Sequence, residues 1–113
     1  FFSLTFGGRP SDCAVASATV RWLTGHPEAY EKLASTGQAL KDGLNGIGVK
    51  VIGQPERSVM EFETKEKLID FCGRMIERGG MMHKPQFSTL VHSLKDVERT
   101  IATAREVISN ETL

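Results

Sequence analysis

Apolar side chains recur along this chain with two different periods, and the changes of period mark out its elements. Phe1, Phe2, Leu4 and Phe6 crowd the opening ahead of Gly7 and Gly8, a pattern that fits a strand or loop covered by other protein. After Arg9-Pro10 comes SDCAVASATVRWL, an Ala-rich stretch with Pro10 or Ser11 suited to the first turn of a helix. Its small side chains imply close packing. In PEAYEKLASTGQALKDGLNGIG, the positions Tyr30, Leu33, Gly37, Leu40, Leu44 and Ile47 follow one another at helical spacing, until Asn45-Gly46 and Gly48 stop the helix. A glycine inside a helix costs roughly 1 kcal/mol relative to alanine. The place of Gly37 on the apolar stripe therefore suggests that another backbone passes close by.

The period then shortens. VKVI and SVMEFE have the β-branched, alternating character of strands, and Gly53-Gln54-Pro55 between them reads as a turn. KEKLIDFCGRMIERGG returns to helical spacing, with Leu68, Cys72, Met75 and Ile76 on one face and Gly79-Gly80 at the end. QFSTLV after Pro85 is a further short strand. In SLKDVERTIATAREVIS, Ser93 is suited to cap a helix, with Asp96 three residues on and Val97, Ile101, Ala104 and Ile108 as the stripe. The order is helix, helix, strand, strand, helix, strand, helix. This predicts an α+β domain with helices layered on a small, mainly antiparallel sheet.

Composition narrows the partners. The 113 residues suffice for one domain with its own core. Fourteen basic residues balance fourteen acidic ones, and no cluster of Lys and Arg offsets that average, so no field favours nucleic acid or an anionic membrane. No apolar run approaches the 20 or so residues of a membrane span, and the opening lacks the pattern of a signal peptide. The expectation is a cytoplasmic protein. Cys13 and Cys72 are isolated, without the spacing of a metal or disulfide framework, and read as buried core thiols. Met81-Met82 reads as core filler, Trp22 as the anchor of the first helix, and His26, His83 and His92 as structural, since none has a nameable catalytic partner.

Two stretches carry a resemblance to a known family: TFGG immediately before the Ala-rich helix, and the tail ERGGMMHKPQFSTLVHSLKDVERTIATAREVI. At this separation they resemble the C-terminal part of class III pyridoxal-phosphate aminotransferases, in particular the glutamate-1-semialdehyde 2,1-aminomutase branch. The resemblance implies the C-terminal small domain of fold-type I pyridoxal-phosphate enzymes over residues 11–113. Residues 1–10 would be a loop or strand carried over from the large domain. It implies cofactor-phosphate contacts at Thr5, Phe6 and Gly7, made across a homodimer to the pyridoxal phosphate of the second subunit. A hydroxyl and glycine-flanked backbone N–H groups ahead of a helix are suited to an anion on their own terms.

The partners implied are the large domain of the parent enzyme, a second subunit and a small amino or keto substrate. The lysine and the ring-nitrogen carboxylate that such chemistry needs lie upstream in the family, and Lys32, Lys41, Lys50, Lys65, Lys67, Lys84 and Lys95 match no such motif. The chain alone is therefore expected to hold no catalytic residue and to be inactive, its role being to close the active site of the larger enzyme. The alternative is a standalone, non-catalytic oligomerisation or interaction domain derived from such an enzyme. Two departures bear on this: Arg9-Pro10 sets a cation beside the loop, where it either helps hold an anion or is solvated, and QFSTLVHSL has no counterpart of the carboxylate-binding arginine of other relatives.

Overall fold

The computed structural model describes residues 8–110. Its elements are α1 (Pro10–Thr24), α2 (Pro27–Gly46), β1 (Lys50–Gln54), β2 (Arg57–Glu61), α3 (Lys65–Glu77), β3 (Pro85–Phe87) and α4 (Leu94–Ser109), in the order that the periodicity predicts. The chain divides into two compact units, one up to Glu31 and one from Lys32 onward.

In the first unit, Pro10 opens α1, where its missing N–H costs nothing and its fixed φ suits a helix. Arg9 Nε donates to Asp12 Oδ2 at 2.8 Å, and the acidic Asp12 complements the positive end of the helix dipole. The helix stops at Gly25, whose N–H returns to the carbonyls of Arg21 and Trp22. His26 then lays its ring on Trp22, with centroids 4.1 Å apart, and its Nδ1 lies 2.7 Å from the Trp22 carbonyl. The close packing expected of α1 is not found: it buries none of its residues, and Trp22 closes the helix end rather than anchoring a core. Small apolar and hydroxyl residues alternate from Ala16 to Val20, so no single face is apolar enough to define a side.

The second unit holds the core. Its sheet runs β1-β2-β3, antiparallel throughout, with Val51 opposite Met60 and Arg57 opposite Phe87. One face turns Val51, Ser58 and Met60 inward onto α2, α3 and α4; the other carries Ile52 and Phe87, which are exposed. Leu44, Met60, Phe71, Met75 and Val107 are essentially without solvent contact, and Val49, Val51, Met82 and Ala104 complete the cluster. Gly37 lies where the sequence suggests a close backbone: a Cβ there would overlap the Pro55 carbonyl, so the hairpin turn rests directly on α2. At the start of α4 the capping box forms in full. Ser93 Oγ accepts the Asp96 N–H, and Asp96 Oδ2 accepts the Ser93 N–H at 2.8 Å and its hydroxyl at 2.6 Å. These bonds hold the Asp96 carboxyl below its usual range, Ser93 being the main cause.

Several expectations are corrected. The buried residue of α3 is Phe71, with Met75; Ile76 is exposed, because it lies a further 100° around the helix from Met75. Cys72 is half-buried against the core, but Cys13 is exposed on α1, none of whose residues is buried. Of the paired methionines, only Met82 enters the core, while Met81 is 79% exposed. The turn between β1 and β2 is Pro55-Glu56, with Gly53 inside β1 at a φ of 95°. The last strand is three residues long, and Ser88 leaves it by donating its N–H to the Glu56 carbonyl.

Candidate functional site

Thr5, Phe6 and Gly7, the residues singled out for cofactor contact, lie outside the described residues, as do Phe1, Phe2 and Leu4. What adjoins them is described. Gly8 has a φ of 68°, in the left-handed region that suits glycine, and a Cβ there would meet nothing within 4 Å. The first intrahelical bond of α1 runs from the Cys13 N–H to the Arg9 carbonyl, and no side chain caps the helix. Ser11 and Asp12 therefore present backbone N–H groups without an intrahelical acceptor. Such a donor set fits a phosphate. The Arg9 guanidinium stands beside it, 69% exposed and already engaged by Asp12.

In the second unit, a cavity of about 150 Å³ opens between α2, β3 and α4, with Thr36, Ser88, His92 and Asp96 among its walls. Asp96 hydrogen-bonds to Ser93, while His92 Nδ1 accepts the Thr89 N–H at 3.3 Å and His92 acts on Asp96 as a lesser, electrostatic influence. The histidine orders its own turn. Thr36 and Ser88 escaped the sequence reading because neither falls in a motif; only the stripe containing Gly37 pointed to this contact.

Most of the lysines have structural partners. Lys32 donates to the Leu90 carbonyl and Lys41 to the Gly53 carbonyl at 2.7 Å. Lys50 pairs with Glu61 across the strands at 2.6 Å, and Lys67 with Glu63 at 2.5 Å, where the Lys67 ammonium holds the Glu63 carboxyl below its usual range. The last two pairs flank a wider groove at the end of the sheet, where opposite charges face each other and leave little net field. Among the described residues no cluster of His, Cys, Asp and Glu could hold a metal ion, and no helix is long and apolar enough to cross a membrane.

An α+β arrangement of this kind recurs in a pyridoxal-phosphate enzyme. Serine palmitoyltransferase from S. paucimobilis, solved with a bound PLP–myriocin aldimine, matches at a TM-score of 0.76 and 16% identity, over 86% of this chain and 27% of that one. Sequence similarity points to a particular relative. The glutamate-1-semialdehyde 2,1-aminomutase of Methanoculleus marisnigri is 29% identical over 114 aligned positions, covering 84% of this chain and 27% of the aminomutase. That of Methanoregula boonei is 43% identical over 42 residues, covering 37% of this chain and 10% of the relative. No protein-family profile matches the chain. The resemblance to the aminomutases read from the sequence is thus borne out, and the chain spans at most 27% of the length of these relatives.

Proposed function

We propose that the chain works as the C-terminal small domain of a class III pyridoxal-phosphate aminotransferase or aminomutase, with residues 11–113 as that domain and residues 1–10 as a loop reaching it from the large domain. The observation that carries this reading is the alignment with the M. marisnigri aminomutase along 84% of the chain. The domain closes over the active site of the larger enzyme. Thr5, Phe6 and Gly7 hold the cofactor phosphate of the second subunit in a homodimer, the hydroxyl and backbone N–H groups donating to its oxygens. The N-terminus of α1 adds its uncapped N–H groups and the positive end of its dipole. The cofactor, when bound, supplies the electron sink of the reaction. The substrate is a small amino or keto compound, the enzyme is cytoplasmic, and the chain contributes binding and closure rather than a reacting lysine.

The test uses the full-length protein that carries this segment. Thr5→Val removes one charge-assisted hydrogen bond and should weaken pyridoxal-phosphate retention by about tenfold or more, read from the cofactor absorbance during dialysis. Retention equal to that of the unsubstituted enzyme would remove Thr5 from the phosphate site. Separately, borohydride trapping on the 113-residue chain should label no single lysine stoichiometrically. A stoichiometric adduct on one lysine would overturn the division of labour proposed here.

A further inference from the structure

Among the described residues the outer side of β1 pairs with no strand, since β1 comes first in the strand order. In the antiparallel hairpin, alternate residues of β1 turn their N–H and C=O groups toward β2. The register pairs Gln54 with Arg57, Ile52 with Val59 and Lys50 with Glu61, closing a two-residue turn, while Met60, opposite Val51, gives its N–H to the Lys84 carbonyl on the far side. Val51 and Gly53 therefore point their backbone groups outward. Such an edge is a template for another strand.

Helix α2 fills it. Asn45 Oδ1 accepts the Val51 N–H at 2.9 Å, and Asn45 Nδ2 donates to the Val51 carbonyl at 3.2 Å. One side-chain amide thus makes the two bonds that the backbone of a neighbouring strand would make. Nδ2 also donates to the Lys41 carbonyl at 3.0 Å, which fixes the orientation of the amide. One turn earlier, Lys41 Nζ donates to the Gly53 carbonyl at 2.7 Å and leaves a positive charge beside the edge. Of the outward groups of Val51 and Gly53, only the Gly53 N–H lies outside this set.

We propose that Asn45 and Lys41 form a surrogate strand that closes the β1 edge against antiparallel pairing with β1 of a second copy. The symmetry of the segment names that occupant. If Val51 of one copy bonded to Gly53 of the other, Ile52, which is 43% exposed, would pack against its own counterpart. The proposal is independent of the cofactor reading, because it rests on Lys41, Asn45 and β1 of the second unit alone.

The test compares the full chain with its Lys41→Ala, Asn45→Ala double variant. In the variant, light scattering should show concentration-dependent association beyond that of the unsubstituted chain. A peptide with the β1 sequence KVIGQ should shift the Val51 and Gly53 amide resonances of the variant and leave those of the unsubstituted chain in place. A folded variant that keeps the unsubstituted chain's association state and ignores the peptide overturns the proposal. If the variant unfolds, hydrogen exchange on the unsubstituted chain decides. A Val51 amide exchanging about tenfold or more slower than an exposed amide supports the closed edge, and one exchanging as fast as an exposed amide overturns it.

Discussion

Helices α1 and α4 are of nearly equal length, 15 and 16 residues, yet they are specified in different ways. α4 has a capping box at its start and buries Val97, Ala104 and Val107 along one stripe. α1 starts at a proline behind an uncapped Arg9, ends on a glycine, and buries nothing. Start and stop signals alone thus mark out a helix, whereas a sided pattern also determines what it packs against. A helix of this length made of Ala, Val, Thr and Ser is marginal in water by itself. Whatever stability α4 contributes comes from packing, and α1 can contribute little of that kind.

The contrast is broken most forcefully in the core. Phe71→Ala should destabilise the second unit by about 3–5 kcal/mol, measured by urea unfolding, because the ring is almost wholly buried against Phe62 and the core cluster. Val15→Ala on α1 should stay within about 0.5 kcal/mol. Comparable losses from the two would mean that α1 is packed after all.

Two helical glycines give a smaller effect of opposite sign. Gly37→Ala should cost about 1–3 kcal/mol, since its methyl meets the Pro55 backbone, which cannot swing aside as a side chain could. Gly73→Ala in α3, where a Cβ meets nothing within 4 Å, should stabilise by about 0.5–1 kcal/mol. A neutral Gly37→Ala would show that the hairpin turn does not rest on α2. The smallest effect leaves stability untouched. Iodoacetamide at mildly alkaline pH should label the exposed Cys13 well before Cys72, whose thiol is pushed up by burial and so holds less reactive thiolate. Equal labelling rates in the folded protein would place Cys72 outside the core.

The elements were legible in the sequence because their signals are local. Ser93 and Asp96 announce the start of α4 within four residues, and Gly37 on an apolar stripe announces a close backbone without naming it. The errors arise where the deciding fact is tertiary. Phe71 and Ile76 both sit near the stripe of α3, and only the position of the sheet decides which faces inward. Met81 and Met82 are neighbours in the connection between α3 and β3, yet one faces solvent while the other is buried. Cys13 looked buried because small residues suggested close packing, although smallness permits contact without supplying a partner. Asn45 read only as a helix stop; its bonds to Val51 depend on how β1 returns along α2. The candidate phosphate loop rests on its resemblance to the family and on the described groups at Gly8 and the start of α1.

The core also imposes an order in time. Leu44, Met60, Phe71 and Val107 meet in one cluster although they are spread across more than half of the chain. During synthesis, α2 and the hairpin emerge from the ribosome before α3 and α4, and the cover over the inward face of Val51 and Met60 is complete only once α4 is made. A polypeptide halted before Val107 would carry a finished hairpin whose apolar face is covered only in part, by α2 and α3. For this fold, nascent chains rather than mature ones are where chaperones would find most to hold.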